Sequence, residues 1–176
     1  MLEVKNVSSK LEEYKKVFQM YEEYFPENER LPLWFLRIMS KRRNVEFLAF
    51  YDNKILCGFT YLVHYKSTTF VYYLAVNKDV RSNGYGSKIL SWIADSNKSN
   101  TIVLVIEEVD PKYDNYEERL NRIKFYKKNG FVNAGYKLID KDGIYDFLYK
   151  GSDFSKSECE EMFKNFFLGF ATKKIG

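Results

Sequence analysis

The chain has 176 residues, of which 45% are hydrophobic and 30% charged, a balance that excludes intrinsic disorder and collagen-like sequence and fits one domain with a real core. Its 28 Lys and Arg against 24 Asp and Glu give a net charge of +4. The two signs are interleaved, so neither nucleic acid nor a membrane is expected as a partner.

No apolar run approaches the roughly 20 residues of a membrane-spanning helix, and Met1 to Lys10 lacks the core of a signal peptide, so the expected location is cytoplasmic. Cys57 and Cys159 have neither metal-ligand spacing nor disulfide-scaffold density and read as reduced, structural residues. The single histidine, His64, cannot build a histidine metal site or a well-supported triad, so no metal is expected and any catalysis rests on other groups.

In chain order, Lys10 to Phe25 spaces Leu11, Tyr14, Val17, Phe18, Tyr21 and Tyr24 as one face of a helix, with Ser9 as its cap. Pro26 and Pro32 bracket a loop, and Leu33 to Arg43 resumes a helical pattern. The period then drops to two. Val45 to Tyr51, Ile55 to Tyr65 and Thr68 to Val76 read as consecutive antiparallel strands. Gly86 to Ser96 is helical, Thr101 to Ile106 is a buried strand, and Tyr116 to Lys128 is a helix stopped by Asn129-Gly130. Phe131 to Ile139 and Ile144 to Tyr149 form a hairpin around Asp140 to Gly143. The fold class is α/β, a mixed and mostly antiparallel sheet flanked by helices, with a domain over residues 2–150. Residues 151–176 form an extension whose helix, Ser157 to Phe170, carries Met162, Phe163, Phe166, Phe167 and Phe170. That apolar face packs on the domain or pairs with a second copy as a homodimer; a membrane-surface role is disfavoured because few basic residues flank it.

Arg81-Ser82-Asn83-Gly84-Tyr85-Gly86-Ser87 lies between the strand ending at Val76 and the helix beginning near Gly86. Unpaired amides at a helix start, with the positive end of the dipole behind them, bind a phosphate or pyrophosphate. The dinucleotide fingerprint would need glycine at Ile89, and a phosphate-binding Walker loop would need it at Ser87, so neither applies.

The R-x-x-G-x-G pattern after an apolar strand resembles the GNAT superfamily of acyl-CoA-dependent N-acyltransferases. The later run Phe125-Tyr126-Lys127-Lys128-Asn129-Gly130-Phe131 is similar to the family's tyrosine helix and glycine-phenylalanine turn, and the order of elements agrees. The resemblance implies that acetyl-CoA places its pyrophosphate on Arg81, Ser82, Asn83, Gly84, Tyr85, Gly86 and Ser87. Its pantetheine arm would run beside Leu74, Ala75 and Val76, with the amide of Val76 or Leu74 holding the thioester carbonyl. Tyr126 would protonate the leaving thiolate. Deprotonating an amine acceptor needs a base at a strand end, which makes Glu107 and Glu108 candidates. Alternation allows only one of them to face the cleft, with a slight preference for Glu108.

At Arg119 and Arg122 the chain departs from the family, where an asparagine and a small residue are common, and the stretch Asp110 to Glu118 reads as an insertion. Arg122 is placed either on the cofactor's phosphates or in an ion pair with Glu118. The acceptor pocket in this family is framed by the first two helices, here with Glu27, Glu29 and Trp34, and the acids there could attract a cationic amine. The implied activity is acetyl transfer from acetyl-CoA to a primary amine by direct attack. The competing reading is a non-catalytic acyl-CoA-binding sensor or interaction module.

Overall fold

The run of β-branched and aromatic residues from Val45 to Val76 becomes three strands, β2 (Val45–Asp52), β3 (Ile55–Tyr65) and β4 (Thr68–Val76). They form the middle of a computed structural model that describes residues 2–140, 143–169 and 174–176. The chain divides into two units, Met1–Val63 with Val71–Ser96, and His64–Phe70 with Asn97–Gly176. Its fold is a mixed, mostly antiparallel sheet with flanking helices and a C-terminal helix.

In the first unit the strand order is β1 (Glu3–Asn6), β2, β3, β4. The helices are α1 (Tyr14–Tyr24), α2 (Leu33–Met39) and α3 (Tyr85–Ser96). The core is aromatic: Phe47 lies edge-on to Phe18, Phe59 and Tyr61 at ring separations of 5.6, 5.8 and 5.3 Å, geometry that adds directional preference to area burial. α3 buries Ile89, Leu90 and Ile93, and Trp92 meets Phe50 at 5.3 Å.

Glycine is required at Gly58 by space. A Cβ there would lie 2.3 Å from the Ala75 carbonyl oxygen and 3.0 Å from Ile89 Cδ1, so β3, β4 and α3 approach one another only because the side chain is missing. Gly58→Ala is therefore expected to lose about 3 kcal/mol by overpacking. That corresponds to roughly 6–12 °C in Tm for a chain of this size, measured by thermal unfolding, and it should also move the Leu74–Val76 end of β4.

In the second unit the first residues of β4 pair in parallel with β5 (Thr101–Glu107), through Thr68↔Thr101, Thr69↔Ile102 and Phe70↔Val103. β5 continues antiparallel to β7 (Gly143–Lys150), then β6 (Val132–Asp140) and β8 (Lys174–Ile175). The helices of this unit are α4 (Tyr116–Lys128) and α5 (Lys156–Phe166). The apolar face of α5 is used within the chain itself. Cys159, Met162, Phe163 and Phe166 are buried, and Phe163 lies edge-on to Phe70 at 5.2 Å.

Several ends differ from the sequence expectation. α1 begins at Tyr14 rather than Lys10, because the backbone turns twice first, Leu11 N donating to Ser8 O and Tyr14 N to Leu11 O. α2 stops at Met39 rather than Arg43: Ser40 Oγ donates to Arg37 O and the chain turns toward β2. α5 stops at Phe166, where Leu168 and Gly169 adopt φ of 55° and 76° and Gly169 N returns to Lys164 O, a left-handed stop. Phe170 and the turn residues Lys141 and Asp142 lie outside the described residues. No helix among the described residues is long and apolar enough to cross a membrane.

Candidate functional site

The first unit supplies a strand end and a loop. On β4, Asn77 N donates to Cys57 O at 2.8 Å, and the Ala75 carbonyl points at Gly58 on β3. Because N–H and C=O directions alternate along a strand, Leu74 and Val76 direct theirs away from β3. Beyond Val76, Asn77 is almost fully buried and turns the chain. Its Nδ2 donates to Leu56 O at 2.8 Å, and its Oδ1 accepts from Asp79 N at 3.2 Å at the start of a short 3-10 turn, Lys78–Val80.

The loop that follows is exposed over Arg81 to Gly84, and α3 starts at Tyr85. Ser82 and Gly84 take φ of 67° and 73°, which turns successive N–H groups to one side. Among the described residues, the amides of Ser82, Asn83, Gly84, Tyr85, Gly86 and Ser87 reach no acceptor, and the first bond of the helix is Lys88 N to Gly84 O at 3.1 Å. Such a concave run of free donors at a helix N-terminus is an anion cradle. It is held at both ends. Tyr85 Oη donates to Asp52 Oδ2 at 3.0 Å, which pushes its pKa up to about 12, while Arg81 stacks its guanidinium 5.2 Å over the Tyr24 ring.

The other contribution of this unit is a cavity of about 280 Å³ lined by Tyr21, Glu22, Glu27, Arg30 and Leu31–Leu33. Of the acceptor-pocket residues expected from sequence, only Glu27 lines it; Glu29 does not, and Trp34 stands exposed on α2. Of the tyrosines near it, Tyr21 lines the cavity and Tyr73 lies behind its Leu31 wall. Tyr21 Oη donates to Leu31 O at 2.9 Å; Tyr73 Oη accepts from Leu31 N at 3.0 Å and donates to Glu29 O at 2.9 Å. Burial pushes both phenols above the ordinary range, so they stay neutral and hold the α1–α2 loop to the strand that carries Leu74 and Val76.

The second unit holds the titratable candidates. Glu107 ends β5 and is gripped by two α4 arginines, Arg119 Nη2 at 3.0 Å and Arg122 Nη1 at 2.5 Å. Arg122 therefore pairs with Glu107, not with Glu118. Arg119 also donates to Asn115 Oδ1 at 2.7 Å and Glu108 O at 2.8 Å and stacks 3.7 Å over Tyr113, so it clamps the inserted stretch to the strand end.

Glu108 has a separate set of partners, as strand alternation requires: Lys137, Lys112 at 3.2 Å and Tyr113 Oη at 3.3 Å. Lys137 and Lys112 hold its carboxyl below the usual carboxylate range. The folded state thus binds this proton less tightly than the unfolded chain does. Its stabilisation is full above the unfolded value near pH 4.5 and fades as pH falls through the depressed folded value. Glu108→Gln should accordingly destabilise the protein at neutral pH, and the gap from wild type should close in thermal melts taken down to pH 3.

Two further residues of this unit carry shifted protons. Asp146 faces the same Lys137 at 4.0 Å, and desolvation raises its carboxyl above the ordinary range, the opposite of Glu108. Tyr126, half-buried on α4, packs edge-on to Phe125 and Phe131 at 5.2 and 5.6 Å. Its hydroxyl has no hydrogen-bond partner among the described residues, and desolvation pushes its pKa up to about 12 against the opposing charge of Arg122. The following turn is closed by Phe131 N to Tyr126 O at 3.1 Å, with Gly130 at φ 85°.

Cys57, expected to be structural, and the single histidine are both held on β3. His64 Nδ1 lies 3.0 Å from Thr69 Oγ1, and Cys57 is fully buried. Asn77, Tyr73, Arg30 and Asp146 were missed from sequence. A polar residue closing an apolar strand was a usable signal for Asn77; Tyr73 is marked only by its contacts with Glu29 and Leu31, more than 40 residues away, and Arg30 and Asp146 only by burial.

The family model described as Acetyltransferase (GNAT) domain matches residues 43–133, just over half of the chain. The chain belongs to the GNAT acetyltransferase family. The stretch matched contains both the Arg81–Ser87 loop and the Tyr126 turn. The Bacillus subtilis "Putative acetyltransferase YjbC" is 28% identical over 117 residues, 66% of this chain but only 57% of that protein's length. A GNAT-family protein structure from Bacteroides thetaiotaomicron superposes with a TM-score of 0.77 at 22% identity, covering 96% of this chain and 99% of the other. A Bacillus subtilis acetyltransferase solved with CoA has a TM-score of 0.60 at 13% identity, covering 87% of this chain and 100% of the other. At these identities the two structures speak for the fold.

Proposed function

We propose that this GNAT-family chain transfers the acetyl group of acetyl-CoA to a primary amine by direct attack, without a covalent acyl-enzyme and without a metal. One observation carries the reading: the end of β4 beyond its pairing with β5, with the Leu74 and Val76 amides directed away from β3, runs into the unpartnered amides of Ser82 to Ser87. An extended arm ending in a pyrophosphate matches that order of donors.

In this reading Arg81, Ser82, Asn83, Gly84, Tyr85, Gly86 and Ser87 bind the pyrophosphate, and Leu74, Ala75 and Val76 align the pantetheine arm. The Val76 or Leu74 amide stabilises the oxyanion that forms when the amine nitrogen bonds to the thioester carbon. As the C–S bond breaks, Tyr126 donates its proton to the thiolate, a donor kept loaded by its raised pKa. The amine's proton leaves to a carboxylate, directly or through water. Glu107 is committed to two arginines, and Glu108 is weakened as a base by its lysines. Asp146, bound to the same Lys137, is the better proton acceptor of that cluster. The proton taken by the carboxylate returns through solvent to the Tyr126 phenolate, so a neutral amine yields the acetylamide and the free CoA thiol, and an acceptor that enters as its ammonium ion releases one proton more. The reading places the protein in the cytoplasm, where acetyl-CoA is available, and treats residues 2–150 as the transferase domain with 151–176 as an extension. A homodimer through α5 would have to use the helix's outer face, since its apolar face is occupied.

The second reading is a non-catalytic acyl-CoA sensor, favoured by the neutralisation of both Glu107 and Glu108 by cations. Thiol release from acetyl-CoA, followed with a chromogenic disulfide across a panel of amines, separates the two. Amine-dependent release supports the transferase; CoA binding with no release on any amine supports the sensor.

A further inference from the structure

Resting on the transferase reading, we propose that the acceptor is a small amine that also carries a carboxylate, and that Arg30 recognises that carboxylate in the cavity beside α1. Arg30 Nη1 donates to Glu22 O at 3.2 Å. Its Nε is buried and has no hydrogen-bond partner, the one such side-chain atom among the described residues. A buried donor without an acceptor is costly, and native proteins leave few of them. No ion pair reaches this guanidinium among the described residues, although Glu22 and Glu27 line the same cavity. The edge formed by Nε and Nη2 has no acceptor among the described residues, and Nε is shielded from solvent; a ligand carboxylate that displaces that cover would meet a fork able to give it two parallel hydrogen bonds.

The two glutamates define the rest of the ligand. Both are exposed, and neither is ion-paired among the described residues, so the cavity offers free charges of both signs. A polycationic acceptor would satisfy the glutamates but set a positive charge against Arg30. A simple dicarboxylate would do the reverse. An amino carboxylate satisfies both. The cavity, about 280 Å³, has room for an amino acid or short ω-amino acid. The loop is also held in place, because Leu31 is tied on both its N–H and C=O by Tyr73 and Tyr21, so Arg30 is presented from a fixed backbone.

The test uses the full chain and four probes, glycine, β-alanine, 4-aminobutyrate and glutamate, each titrated calorimetrically beside its carboxamide, with and without CoA. At least one carboxylate should bind about tenfold or more tightly than its amide, the discrimination a charge-assisted fork supplies. Arg30→Gln should bring the two to parity, while Arg30→Lys, which keeps the charge and loses the fork, should retain part of the preference. Thermal melts establish that both variants fold. Parity in the wild type, binding by none of the four, or a folded Arg30→Gln that keeps the preference would overturn the proposal. The readout is binding, so carboxylate discrimination without thiol release would sink the transferase reading and leave Arg30 standing. Thiol release without discrimination would do the opposite.

Discussion

Gly84→Glu should abolish measurable acetyl-CoA binding while leaving the protein folded. Gly84 sits at φ 73° with open space around the position of a Cβ, so the substitution meets no steric clash and threatens no core contact. Two costs arise. A side-chain-bearing residue in the left-handed region costs about 1–2 kcal/mol, which falls on the folded loop with or without ligand, and a carboxylate beside the free amides of Ser82 to Ser87 competes for the donors that a pyrophosphate needs. The second cost should weaken binding by at least about 100-fold, or roughly 3 kcal/mol. Gly84→Ala bears only the first cost and should lose little affinity. Calorimetric titration of the three proteins reads this directly. Equal affinities for wild type and Gly84→Glu would remove the loop from the account.

Tyr126→Phe is expected to lower kcat by roughly 100-fold, the usual scale for losing a positioned general acid, with KM for acetyl-CoA and Tm nearly unchanged. The stability expectation follows from the absence of any hydroxyl partner among the described residues, since nothing polar is orphaned when the oxygen is removed. The raised pKa sets the pH behaviour. A phenol at about 12 stays protonated through the working range, so wild-type kcat should show no alkaline fall from this group below about pH 11. Steady-state kinetics with the best amine acceptor decides it. A parallel loss of kcat and CoA affinity would make Tyr126 a packing residue.

Elements with a strong period were legible in the sequence. The strands from Val45 to Val76 and the helices around Ile89 and Leu120 arose from local alternation of apolar and polar side chains. β1 was not legible, because Glu3–Asn6 is mostly exposed and is held by backbone pairing to β2 at Glu3↔Tyr51 and its neighbours. β8 has two residues and exists through its bonds to β6 at Leu138 and Ile139. The same division runs through the site. The turn at Arg81–Ser87 and the start of α3 were readable because glycine placement and a helix start are local properties. The protonation of Glu108 was not, since it depends on Lys137, which lies 29 residues away in the chain. Tyr73 was hidden among other aromatics on an apolar strand, and only its hydroxyl contacts with Glu29 and Leu31 distinguish it.

If a CoA thioester is bound through the backbone donors of the first unit, calorimetric titration of the full chain with acetyl-CoA, beside desulfo-CoA and ATP, should show both CoA species binding at similar affinity, because the pyrophosphate and pantetheine contacts do not involve the sulfur, and ATP binding much more weakly. Failure of acetyl-CoA to bind, or ATP binding as tightly, would contradict this mode of binding.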